Sequence, residues 1–142
     1  VCQAAVALLV GTTSIYTISY NWPVSLVIAL LWVVGYSSAS HVFGSYDEEA
    51  HTTFLSITWG LVIAELGWLG YHWTIAYRMP LLGHILVPQI SIIMLCVSFV
   101  TYKSYDSYTK HDRIRLNDIF LPLLFSSAII VVLLSVFNSM QK

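Results

Sequence analysis

The chain has 142 residues, of which 58% are hydrophobic and only 9% charged, and its formal net charge is −1. A soluble domain carries roughly 25% charged residues, so a water-soluble globule of this size would lack its polar shell, and a near-neutral chain offers no electrostatic footprint for nucleic acid. With a mean hydropathy of +0.78, the composition indicates an all-α, polytopic transmembrane helix bundle of about five spans, one helical membrane domain over residues 1–142.

The chain begins at Val1 rather than Met, which reads as a trimmed chain or a fragment and leaves room for an upstream part. No basic segment precedes the first apolar stretch, so that stretch is not read as a signal peptide. It runs over 2–20, with Thr12, Thr13, Ser14, Thr17 and Ser19 in its second half; hydroxyls are tolerated there because they bond back to their own helix or across to a neighbour. Asn21-Trp22-Pro23 makes a turn, with Asn21 expected to cap the next helix and Pro23 suited to its first turn. The second span covers 23–40.

The polar stretch 41–51 follows, and Ser45-Tyr46-Asp47-Glu48 fits a capping box, so the third helix is expected to start near Tyr46. Its membrane part covers 52–71, with helix continuing toward Tyr77 until Arg78-Met79-Pro80 breaks it. The fourth span covers 82–102 with Pro88 inside, which would free the carbonyl of His84 and kink the helix. The loop 103–118 is the most charged segment, and Asn117 is expected to cap the last span, 118–137.

Lys103, Lys110, Arg113 and Arg115 in that loop outnumber Arg78 and Lys142 on the opposite side, which assigns 103–118 to the cytoplasm. Tyr20, Trp22, Tyr71, Trp73 and Tyr77 then gather at the outer interface, and Tyr36, Tyr46, Tyr102, Tyr105 and Tyr108 at the inner one, as anchoring belts do. Cys2 and Cys96 lie in apolar stretches and read as small buried hydrophobes rather than a disulfide or a metal site.

Glu65 is the most informative residue, because an acid near the middle of a span costs a few kcal/mol even on insertion scales. Thr58, Leu61, Glu65, Trp68 and His72 share one stripe of the third helix. Glu65 and His72 are about 10 Å apart along its axis, too far for a direct hydrogen bond. Gln89 and Ser91 in the fourth span are the candidate polar partners, and the hydroxyls of Thr12, Thr13, Ser14 and Thr17 are a further possibility. The four residues Glu65, His72, Gln89 and Ser91 thus form a candidate intramembrane polar site. Against it stands the plain reading of Glu65 as hydrogen-bonded glue between helices. Gly60, Ala64 and Gly67 form a small-residue helix-packing face, inside the bundle or between protomers, which is not centred on the acid.

No cofactor and no metal are expected. His72 and His84 flank one loop, the basis of a haem reading, and Glu48-Glu49-Ala50-His51 holds a Glu-x-x-His motif that di-iron bundles would need twice. No nucleophile elbow, phosphate loop, zinc-protease signature or dinucleotide fingerprint occurs. The preferred expectation is a non-enzymatic subunit, scaffold or assembly factor. The alternative is a small proton-coupled transporter or channel-like subunit using Glu65, and the third is a haem-bearing redox subunit. The expected partners are the lipid bilayer and other membrane subunits or further copies of the chain. Compactness and short loops suggest a bacterial cytoplasmic membrane.

Overall fold

The computed structural model describes residues 1–19, 21–46, 51–72, 76–78 and 86–140, with 76–78, 86 and 136–140 described by backbone only. These form α1 (Cys2–Ile18), α2 (Val24–Phe43), α3 (Thr52–His72), β1 (Ala76–Arg78), β2 (Leu86–Pro88), α4 (Gln89–His111) and α5 (Leu116–Met140). The two short strands pair antiparallel, Tyr77 opposite Val87; otherwise the architecture is an all-α helix bundle. By length and composition α2, α3 and α5 can each cross a bilayer. The apolar α1 is shorter, about 26 Å at 1.5 Å per residue. The chain divides into two compact units, Val1–Met94 and Leu95–Lys142.

In the first unit α2 and α3 make the most extensive contact and α1 packs on α2. The buried positions of α2 are Val27, Leu31, Gly35, Ala39 and Phe43; those of α3 include Ser56, Gly60, Ile63, Gly67 and Gly70. The two helices run antiparallel, with Leu31 against Gly67 and Gly35 against Gly60 and Ile63. A Cβ on Gly35 would fall 3.2 Å from the Cα of Gly60, and one on Gly60 would fall 3.1 Å from the backbone oxygen of Trp32. Among lipid tails, apolar burial gives helices no hydrophobic gain over lipid contact, so close backbone approach and van der Waals packing hold them together. Leu8, Ile63, Ile90 and Met94 form the buried cluster where α1, α3 and the start of α4 meet, flanked by Tyr16, Val34, Trp59, Leu66 and Ile93.

Several local expectations change. Asn21 does not cap α2: Pro23 is itself the N-cap, and its carbonyl accepts from Leu26 N at 3.0 Å. Ser45 and Tyr46 close α2, because Ser45 Oγ donates to His41 O at 3.0 Å and Tyr46 N to Phe43 O at 3.1 Å. The described part of α3 begins at Thr52, and the Glu48 half of the capping box lies outside the described residues. Pro88 does not kink a helix. It ends β2, and α4 starts at the next residue, in keeping with the disfavoured helical conformation of a residue that precedes proline. His84 lies outside the described residues. Cys2 is exposed at the start of α1, while Cys96 is buried.

In the second unit, helix continues well past Tyr102 to His111, so the expected loop 103–118 shrinks to the turn at 112–115. Leaving the apolar zone does not end a helix when charged residues support it. Lys110 Nζ donates to Asp106 Oδ2 at 2.8 Å, one turn back. That hydrogen bond and the carboxylate's charge hold Lys110 above the usual lysine range. The support is therefore present at neutral pH and is lost as pH rises through the raised lysine value. Asp112, with φ 54°, takes the left-handed conformation that closes α4. Across the corner, Ser107 Oγ donates to Asp118 Oδ2 at 3.0 Å and accepts from Arg115 N at 3.2 Å. Asp118 lies in the first turn of α5, where a negative charge suits the helix dipole. It is Leu116, not Asp118, that begins α5, so Asn117 is inside the helix rather than its cap. Up to residue 135, Ile119 and Ser126 are the buried side chains of α5.

Replacing Gly35 or Gly60 by Leu is expected to lower unfolding free energy by about 3 kcal/mol, the upper end for overpacking, because a Cβ would fall 2.7 Å from Ile63 Cβ at Gly35 and 3.0 Å from the Trp32 ring at Gly60, with backbone just behind. Leu121→Ala, on the exposed face of α5, should change it by under about 0.5 kcal/mol. Thermal unfolding of the three variants in one detergent measures the contrast.

Candidate functional site

The packing of α3 decides where its acid lies. Ser56, Gly60, Ile63, Gly67 and Gly70 turn toward the bundle, and Glu65 lies on the opposite side of the helix. Phe54, Thr58, Leu61, Trp68 and His72 share that outward face, with Phe54 69%, Leu61 57% and Trp68 49% exposed. Two of its polar side chains are satisfied by their own helix. Thr58 Oγ1 donates to Phe54 O at 2.9 Å, and His72 Nδ1 lies 2.9 Å from Trp68 O. The His72 ring also rests 4.7 Å from the Trp68 ring. Glu65 is exposed on the same face. Among the described residues it has neither a hydrogen bond nor an ion pair.

Gln89 and Ser91 lie on the inside. Gln89 is 7% exposed and Ser91 fully buried. The Ser91 hydroxyl is hydrogen-bonded to Thr12 Oγ1 at 3.0 Å, and Thr12 Oγ1 donates to Leu8 O at 2.8 Å. Tyr16, one turn on, donates its hydroxyl to Gly67 O at 2.7 Å. Thr12 and Tyr16 thus tie α1 to α4 and to α3. Gln89 Nε2 and Thr13 Oγ1 are buried without a partner. The expected polar site therefore divides: Gln89 and Ser91 face the interior, and Glu65 and His72 face out. The hydroxyls of α1 do not meet Glu65 either; Thr12 bonds α4, and Thr17 donates back to Thr13 O at 2.8 Å.

Gly60, Ala64 and Gly67 lie on the buried side, with Gly60 against Trp32 and Gly67 against Leu31. The sequence does not point to Tyr16 as a partner of α3, and it offers Thr12 as a partner of Glu65 rather than of Ser91. Their signal was available, as two polar groups one turn apart in an apolar helix. A cleft of about 490 Å³ opens between α1 and α2, lined by Gln3, Ala4, Ser37, Ser38 and His41 among others. It is crossed by Ser38 Oγ donating to Ala4 O at 3.1 Å and by His41 Nε2, 3.4 Å from Gln3 Oε1. These polar groups are largely engaged with one another.

Among the described residues no cluster of three His, Cys, Asp or Glu is placed to hold a metal ion. His84 and the Glu48–Ala50 part of the Glu-x-x-His motif lie outside the described residues. In comparisons with protein-family models, curated proteins and solved structures, nothing matches this chain.

Thr12→Val should cost about 0.6 kcal/mol, the average for an interhelical hydrogen bond in a bilayer. Gln89→Met should leave stability unchanged or raise it, because an apolar group of similar shape replaces a donor with no partner. Parallel thermal denaturation checks both; a clear loss for Gln89→Met would show that the amide is engaged.

Proposed function

We propose that the protein is a non-enzymatic, multi-pass integral membrane subunit, scaffold or assembly factor. The observation that carries this reading is the placement of Glu65 on the outward face of α3 with no partner among the described residues. An intramembrane acid turned toward lipid costs a few kcal/mol. A partner that covers it removes that cost, so the chain by itself is the less favourable state. The interior supports the same reading. Its paired polar groups, Thr12 with Ser91 and Tyr16 with Gly67, join helix to helix, as structural hydrogen bonds do.

A proton path through Glu65 would need the acid to communicate with polar groups across the bundle. Gln89 and Ser91 face away from it, which favours the subunit reading over the transporter. The surplus of Lys103, Lys110, Arg113 and Arg115 supports a cytoplasmic 103–118, and the short connections suit a bacterial cytoplasmic membrane.

Native mass measurement after mild extraction tests the proposal: an assembly heavier than the 16.0 kDa chain is expected. A monomer at every concentration and in every mild detergent contradicts it. Proteoliposomes should show no proton flux that Glu65→Gln abolishes; such a flux would establish the transporter instead. For orientation, Ile114→Cys should react with an impermeant maleimide only after the cells are permeabilised, and labelling of intact cells would reverse the topology.

A further inference from the structure

The fold sorts the charges at the corner between α4 and α5. Asp106 accepts from Lys110 Nζ at 2.8 Å in the last turns of α4. Asp118 Oδ2 accepts from Ser107 Oγ at 3.0 Å and lies 3.6 Å from His111 Nδ1. Both acids are thereby engaged within the corner. Arg113 and Arg115 are exposed, and their guanidinium groups have no hydrogen bond or ion pair among the described residues. Of the acids described in this corner, Asp112 alone stands beside them unengaged, one negative charge against two positive. The arginines alternate with apolar side chains that are also turned out, Ile114 being 59% and Leu116 82% exposed.

We infer that this corner, Arg113 to Leu116, is a binding site for anionic phospholipid headgroups; this rests on the membrane reading above. Depth sets the occupant. The apolar stretch of α5, Leu116–Ser135, has 20 residues, about 30 Å at 1.5 Å per residue, which is the thickness of the hydrocarbon core. With that stretch in the core, Leu116 lies at its edge, and Arg113 and Arg115 lie in the adjoining phosphate layer. A planar guanidinium fork matches phosphate oxygens bidentately. An acidic protein segment would answer the arginines and leave Ile114 and Leu116 in water. A bilayer surface takes both, charge at the headgroup and apolar side chain at the acyl boundary. A zwitterionic headgroup brings its own cation, so a lipid of net negative charge is the better match.

The test uses the purified full chain in liposomes at low salt, in a Cys2→Ser background that removes the exposed thiol. A fluorophore on Asn117→Cys, beside the corner, reports neighbouring lipid through quenching by acyl chains brominated near the headgroup. Phosphatidylglycerol should be preferred over phosphatidylcholine about fivefold, the factor for one net positive charge at an anionic surface. Arg113→Gln combined with Arg115→Gln should abolish that preference. Asp112→Asn should raise it by about the same factor of five, and asparagine also accepts the left-handed conformation found there. Raised salt should weaken it. Equal quenching by the two lipids in the parent, or a preference that survives the loss of both arginines, overturns the inference and leaves the membrane reading standing. Quenching by neither lipid removes both.

Discussion

The close approach of α2 and α3 at Gly35 and Gly60 sets the rotation of α3 about its own axis. Neither position has room for a side chain, because a Cβ would strike the Ile63 side chain at Gly35 and the Trp32 ring at Gly60, with backbone just behind. Once Gly60 and Gly67 are turned inward, Glu65 must face outward, since a step of five residues from Gly60 and of two from Gly67 each carries it to the far side of a helix with 3.6 residues per turn. The position of the acid is thus not set by the acid. It follows from small residues that allow two backbones to touch.

The same constraint separates two kinds of polar group. Thr12, Ser91 and Tyr16 are short-range connectors, each spending its hydroxyl on a neighbouring helix, and such bonds contribute about 0.6 kcal/mol apiece in a bilayer. Glu65 belongs to a different scale, because an unsatisfied acid in hydrocarbon costs several times that amount. Thr12, Ser91 and Tyr16 are paired inside the first unit, whereas Glu65 is exposed and makes no hydrogen bond or ion pair among the described residues.

The all-helical bundle was legible from composition and apolar run length, and the ends of α1 and α2 agree with the sequence to within a few residues. Other features were misplaced for identifiable reasons. Hydropathy registers where lipid ends, not where helix ends, so it predicts a loop where α4 continues from Tyr102 to His111. Pro88 was read as a kink because apolar residues lie on both sides of it, although a proline is equally at home just before a helix begins. For the site, the stripe containing Glu65 and the small-residue face were both visible as periodicities. Which of the two faces the bundle is a question of packing between helices, and a single helix's sequence does not carry it. Gln89 was paired with Glu65 on chemistry alone, and the fold places them on different sides.

A tryptophan scan of α3 from Phe54 to His72, reading thermal stability of the purified variants in detergent, tests the orientation of this helix most directly. Sensitivity should peak at Ser56, Gly60, Ile63, Gly67 and Gly70, with Thr58, Leu61 and Glu65 tolerant and out of phase. A profile in which Glu65 is as intolerant as Gly60, with its maxima running along Thr58, Leu61 and Glu65, would place the acid inside the fold and contradict the account.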